Sequence, residues 1–278
     1  MNDAEGEHSH AFALSPPPGI DLIRDAANKL HDPQRRFVDE FFWFWPLEWG
    51  KGKQDPALLA LSRNEKRNAF DIYQSHIEKR TEYEQTAKHN MAVIYQMLAL
   101  DGDIKSLSQS LPKESLDGIE RYWKASFKYW ESIYEDDDFW SIVTSRIKAL
   151  DDHQLTTGFA KRFREALPEA MDRVNITLAV KFIEIGKVDL ARKQIEYAKL
   201  SMASQDDIQK TLAEVTRPTV SRLESALDNA RASTNNDQTG VAKDRAFDLL
   251  HTANNAITIL DNLMYVEAAH IKIGRAHV

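Results

Sequence analysis

Apolar positions along this chain recur at spacings of three and four, the period of a helix face. The densest stretch is Arg35–Trp49, RRFVDEFFWFWPLEW. Phe37, Phe41 and Phe44 fall at i, i+4 and i+7, and Val38, Phe42 and Trp45 form the stripe beside them. A helix from Pro33 to about Trp45, stopped by Pro46, would carry an apolar face far wider than a surface helix needs. Arg35, Arg36, Asp39 and Glu40 supply its polar strip. Phe37, Phe41, Phe42, Phe44, Trp45 and Trp49, flanked by Arg36 and Asp39, are the candidate site. The preferred reading is a buried hub, because such aromatic density left exposed invites aggregation. A partner-docking surface and a membrane-interface helix are the alternatives, the latter disfavoured because the polar strip has no Lys/Arg-rich face.

The same periodicity predicts helices along the rest of the chain. Residues 1–19 read as a disordered lead-in, with Pro16, Pro17 and Pro18 stiffening its end. A helix capped by Asp21 carries Ile20, Ile23, Ala27 and Leu30 on one face. Asp32 caps the next at Pro33, and Asp55 caps another at Pro56, after a loop over 47–54. Asn64 marks a turn, with Ala69, Phe70 and Tyr73 beyond it. A helix over 82–100 turns Ala87, Met91, Ile94, Tyr95 and Leu98 inward and ends at Asp101-Gly102-Asp103, before a loose connector over 103–114. Ile119, Trp123, Phe127, Trp130 and Tyr134 stripe a helix over 116–134. The acidic turn Asp136-Asp137-Asp138 precedes a helix over 139–150. Further helices are expected over 155–166 and 168–185, the second begun by Pro168. Gly186 closes a tight turn, and the following helix runs to about Met202. Asp206 opens a helix interrupted at Pro218. A polar loop over 232–240 leads to a last helix, about 241–270, with Leu250, Ala253, Ile257, Leu260 and Met264 at spacings of three and four.

The expected fold is therefore all-α, an irregular array of antiparallel helical hairpins. Its expected parts are the lead-in (1–19), a helical hairpin with the aromatic hub (20–54), a helical array (55–205) and a C-terminal long-helix hairpin (206–272). A chain of 278 residues has length enough for one large or two modest cores. Only ten glycines and nine prolines break it. The net charge of -7 argues against a nucleic-acid backbone as partner. With no cysteine, disulfides, thiolate catalysis and Cys-based zinc sites are excluded, and a reducing, cytoplasmic setting is expected. No apolar run approaches the ~18 residues of a membrane span.

Candidate chemistry is thin. No P-loop, dinucleotide-binding glycine motif, nucleophile elbow or HExxH is present. His8 and His10 lie in the lead-in, and His76, Glu78 and His89 fall on different helices or faces, so no metal site is expected. Asp136–Asp138 reads as a helix cap, and the Trp123, Phe127, Trp130 stripe as core. No catalytic residue and no cofactor are assigned, and the chain is not expected to be an enzyme.

Two segments share a hairpin spacing: Asn64 before Ala69 and Phe70, and Gly186 before Ala191 and Ile195. Small residues beyond a turn let two antiparallel helices approach. This resembles the tetratricopeptide (TPR) repeat over roughly 55–100 and 170–205, which implies stacked hairpins with a protein-binding surface. Ala27, Leu30, Asp32-Pro33, Arg36 and Asp39 resemble the start of the third helix of a J domain. Val38 stands where that family usually has tyrosine, and its His-Pro-Asp tripeptide is absent. Together the segments resemble a group of bacterial helical-repeat proteins with a degenerate J-like start, which implies association with an Hsp70 chaperone system.

The end of the sequence has a different origin in this reading. Ile273–Val278, IGRAHV, is the translation of ATC GGA AGA GCA CAC GTC, the start of a common sequencing-library adapter. The expectation is that 273–278 is an artefact and that the protein continues past about Lys272. The function expected is a non-catalytic protein–protein interaction scaffold, with Hsp70 as a candidate partner and no nucleic-acid or membrane contact. The alternative is a regulatory or N-terminal portion of a larger enzyme or membrane-linked protein. A scaffold of toxin or phage-defence systems is a third reading.

Overall fold

A computed structural model of the chain describes residues 19–235 and Leu250. Among them are ten α-helices and no strands, so the fold is all-α. They are α1 (Ile20–Lys29), α2 (Pro33–Phe41), α3 (Pro56–Ser62), α4 (Lys66–Glu78), α5 (Glu84–Ser108), α6 (Lys113–Glu135), α7 (Asp137–Ala149), α8 (Thr157–Glu184), α9 (Val188–Ala198) and α10 (Gln205–Asn235). The chain divides into two compact units. Unit 1 takes residues up to Asp101 and from Glu114 to Glu165; unit 2 takes Gly102–Lys113 and residues from Ala166 onward. Among the described residues no helix is long and apolar enough to cross a membrane.

Short-range chemistry sets many of the boundaries. Asp32 accepts from the N–H groups of Gln34 and Arg35 at 2.8 and 3.1 Å. Asp55 accepts from those of Ala57 and Leu58, both at 2.9 Å. Asp136 does the same for Asp138 and Phe139 at 2.9 and 3.2 Å. Each carboxylate satisfies amides that have no partner within their own helix. Pro33 and Pro56 sit at first helical positions, where no N–H is needed. Asn64, at φ 61°, turns α3 into α4, and Gly186, at φ 76°, turns α8 into α9.

Several boundaries differ from those expected. The cap of α1 is Gly19 rather than Asp21, and the apolar face of α1 is not buried: Ile20 is 63 % and Leu30 42 % exposed. Helix α2 stops at Phe41, four residues before Trp45, because Trp45 exchanges helical bonds for a side-chain partner described below. Helix α5 passes through Asp101-Gly102-Asp103. A mid-helix glycine costs about 1 kcal/mol, and here Asp103 is buried while the Ser106 hydroxyl donates to the Gly102 carbonyl at 3.0 Å. The expected helices over 155–166 and 168–185 are one, α8, with Pro168 inside it. Burial of Leu167 and Met171 on either side outweighs the proline's penalty of about 3 kcal/mol. Helix α10 likewise continues through Pro218, and α9 ends at Ala198 rather than near Met202. The expected helix over 241–270, apart from Leu250, and the end of the loop over 232–240 lie outside the described residues, as does the lead-in before Gly19.

Unit 1 closes over a core of large rings. Phe37, Phe41, Trp45, Tyr73, Trp123, Trp130 and Phe139 are each at most 2 % exposed. Helices α5 and α6 are tied through polar as well as apolar contacts: Ser126 donates to the Ala92 carbonyl at 3.1 Å, and the Trp130 indole to Gln96 at 2.9 Å. The core of unit 2 is largely aliphatic, with Leu167, Ile176, Ala191 and Ala198 buried beside Phe182.

Candidate functional site

The aromatic stretch leads into the interior of unit 1. Phe37, Phe41, Phe44 and Trp45 are buried, Phe42 is half-buried, and Arg36, Asp39 and Trp49 are exposed. Phe41 is the centre. Its ring meets Phe163 edge-on at 4.6 Å and stacks on Trp130 at 5.6 Å and on Trp140 at 6.2 Å. Rings drawn from α2, α6, α7 and α8 thus meet at one side chain.

A polar clamp holds the segment after α2. Asn90 accepts from the Trp45 N–H at 2.8 Å and donates to the Trp45 carbonyl at 2.7 Å. One carboxamide therefore replaces both bonds that a helix would have supplied, and it does so where water is excluded. The Trp45 indole donates to the Glu40 carbonyl at 3.0 Å, and its ring stacks on His89 at 4.1 Å. Asp55 joins the other end: besides capping α3 it accepts from the Leu47 N–H at 2.6 Å. Burial, and then Asp55, raise the Tyr73 phenol well above its ordinary value.

His89 is fully buried and lies 2.6 Å from the Phe41 carbonyl through Nε2. A carbonyl only accepts, so Nε2 carries the proton. Nδ1 then faces Asn90 Oδ1 at 3.3 Å as lone pair toward lone pair, a contact rather than a bond. Burial pulls the imidazole down to about 3 from its ordinary 6.5, so the ring is neutral. The unfolded chain therefore takes up the proton first. The stabilisation is complete above about pH 6.5 and is lost as pH falls toward 3. Between about pH 7.5 and pH 4.5 the wild type should lose about 2–3 kcal/mol relative to His89→Gln. Urea unfolding at the two pH values measures this, and parallel losses would refute it.

Arg146, on α7, is 5 % exposed. Its guanidinium lies 3.8 Å from the Trp45 ring and 4.4 Å from the Trp49 ring, and so is held between two indoles. It donates to the Pro46 carbonyl at 3.3 Å and faces Glu40 at 3.8 Å. Burial lowers its pKa to about 10, Glu40 opposing the shift, so the cation persists at neutral pH. This is how Trp49, 44 % exposed, is joined to the hub.

A second feature of unit 1 is open to solvent. Helices α3 to α6 line a groove of about 350 Å³. Leu61 and Ile94 are its buried lining, while Phe70, Tyr95, Leu98 and Tyr122 remain half-exposed. Tyr95 meets Phe70 edge-on at 5.8 Å, stacks on Tyr129 at 5.9 Å and lies 6.2 Å from Tyr122. The rings therefore support one another in a preformed surface. Lys66, Arg67 and Asp101 are the charged lining residues. Arg67 also pairs with Asp71 at 3.1 Å. Burial raises the Tyr95 and Tyr129 phenols, which stay neutral. Such a surface can hold apolar side chains and orient them with a few polar groups.

The helical period turns Tyr95 and Leu98 inward; the structure leaves them half-exposed. Spacing along the sequence assigns no role to His89, Asn90 or Arg146. The available signals were the His-Asn pair inside an apolar helical run and an arginine between Val143 and Ile147. Compared with known proteins, the chain matches no family model, no curated protein and no solved structure at a significant level.

Proposed function

We propose that the chain is a non-catalytic helical interaction module whose α3–α6 groove takes apolar side chains from a segment of a protein partner. The observation that carries this is the groove itself: half-exposed rings, held by one another, over a buried aliphatic floor. An apolar anchor with acidic neighbours suits Lys66 and Arg67. The half-buried rings would contribute much of the binding, as aromatic side chains do at interfaces. The hub plays the supporting part, fixing the elements that carry the groove. Repetition of TPR-like hairpins and a cytoplasmic setting belong to this reading. Association with an Hsp70 chaperone rests on the J-like segment, where Asp32 and Pro33 begin α2 and Arg36 and Asp39 stand exposed.

The test uses a library of synthetic peptides with an apolar core and acidic flanks, presented to the immobilised chain. Peptides retained by the wild type should bind Tyr95→Glu at least about tenfold more weakly, with circular dichroism and melting unchanged. Equal binding by the variant removes the groove from the proposal. In a separate arm the host Hsp70 is titrated with the chain; neither complex formation nor a change in ATPase rate removes the chaperone association.

A further inference from the structure

The interior of unit 2 contains four buried polar side chains, three of them hydrogen-bonded in a row. Asp103 of α5 is 3 % exposed, Gln194 of α9 1 %, and Asn175 and Asp172 of α8 both 0 %. Gln194 donates through Nε2 to Asp103 Oδ2 at 2.8 Å, and Asn175 donates through Nδ2 to Gln194 Oε1 at 2.8 Å. These bonds turn both carboxamide nitrogens toward Asp103 and both oxygens away from it. At the far end Asn175 Oδ1 is left as an acceptor. One helical turn earlier stands Asp172, whose Oδ1 accepts a long bond from Thr211 at 3.4 Å. Among the described residues, Asn175 Oδ1 and Asp172 Oδ2 are both buried without a hydrogen-bond partner.

The mismatch follows from chemistry. A carboxamide offers a donor at one side and an acceptor at the other. A row of two carboxamides with a carboxylate at each end has one acceptor too many, whichever way the amides are turned. An acceptor buried without a donor forfeits the hydrogen bonds it had in water, a loss that nothing repays. A single proton cures it.

We propose that this row binds one proton when unit 2 is folded, carried on Asp172 Oδ2 and donated to Asn175 Oδ1. Unit 2 thus contains a buried proton-binding site. Burial raises the Asp172 carboxyl to about 7 from its ordinary 3.8, against the pull of the Thr211 hydroxyl. Among the described residues, the surrounding charges are Glu169 and Arg173 on α8, Lys210 and Glu214 on α10, and Asp103 on α5; α9 contributes the neutral Gln194. Arg173 pairs with Glu169 at 3.0 Å and Glu214 at 2.5 Å, and Lys210 with Glu169 at 3.4 Å. The folded chain holds the proton to higher pH than the unfolded chain. The site's contribution is full below about pH 4 and is lost as pH rises through 7.

Urea unfolding of the full chain between about pH 5 and pH 8 tests this with wild type, Asp172→Asn and Asp103→Asn. Groups common to all three, His89 among them, cancel on comparison. Relative to Asp172→Asn, the wild-type unfolding constant should rise about 30- to 100-fold between pH 5 and pH 7 and then level off. Asp103→Asn should flatten the profile equally, because the row can turn round: residue 103 then donates to Gln194, and Asn175 donates to Asp172. Parallel profiles for wild type and Asp172→Asn, the result if water bridges an ionised Asp172 to Asn175, overturn the proton. A wild-type profile retained in Asp103→Asn overturns the row. If a variant does not fold, infrared spectra of the wild type decide. A protonated-carboxyl band that titrates away near pH 7 supports the site, and its absence at about pH 5 refutes it.

Discussion

Phe41→Ala is expected to destabilise unit 1 by about 3–5 kcal/mol. The Phe41 side chain is fully buried and is met by rings from α6, α7 and α8. Removing it takes away its own transfer energy and leaves a cavity. The surrounding Trp130, Trp140 and Phe163 are large and mutually constrained, so they fill the space poorly, which places the loss toward the upper end. Loss of the edge-on and stacked ring pairs adds to it. Urea unfolding measures the change, with near-ultraviolet circular dichroism reporting the indoles. A variant as stable as wild type would show that this stretch is not the core of unit 1. Weakened peptide binding with unchanged stability would make it a docking surface instead.

The second large effect is expected at Asn90. Asn90→Leu keeps a similar volume but removes both bonds to Trp45, at 2.8 and 2.7 Å. The Trp45 N–H and carbonyl then stay buried and unpaired, each at a cost of about 1–3 kcal/mol, for a total of about 2–6 kcal/mol. Asn90→Asp separates the two halves of the clamp. It keeps an acceptor for the N–H but turns an acceptor toward the Trp45 carbonyl, and at neutral pH it adds a buried charge. It should therefore be at least as damaging at neutral pH and should recover as pH falls and the carboxyl gains a proton. Unfolding curves of both variants at about pH 5 and pH 8 check this. If Asn90→Leu unfolds like wild type, Trp45 is held by its ring alone.

These two residues show what was legible before the fold was known. Phe41 lay in an apolar run whose spacing marked it as a core position of a helix. Asn90 had no such signal. A carboxamide in an apolar helix reads as a local exception, and its partner stands 45 positions earlier. Arg146 is similar: Trp45, Trp49, the Pro46 carbonyl and Glu40, all distant in sequence, make a guanidinium on that face of α7 acceptable. The groove was hidden for the opposite reason. Tyr95 and Leu98 have the periodicity of core residues, and nothing in the spacing says that α3, α4 and α6 leave them half uncovered.

What the sequence determined by itself was local: an all-α chain, the Asp32, Asp55 and Asp136 caps, the turns at Asn64 and Gly186, and the apolar face of each helix. Such features depend on bonds and spacings within a few residues, which the chain carries wherever it folds. The tertiary structure decided which faces are covered and where competing local signals lose. It ended α2 at Phe41, because Asn90 takes over the backbone of Trp45. It carried α5 through Gly102, where Gln194 donates to the buried Asp103, and α8 through Pro168, where Leu167 and Met171 are buried, against local penalties of about 1 to 3 kcal/mol. It left the matching stripe of α1 in solvent. Periodicity states that a helix has an apolar side; only contacts between distant residues determine whether anything stands against it.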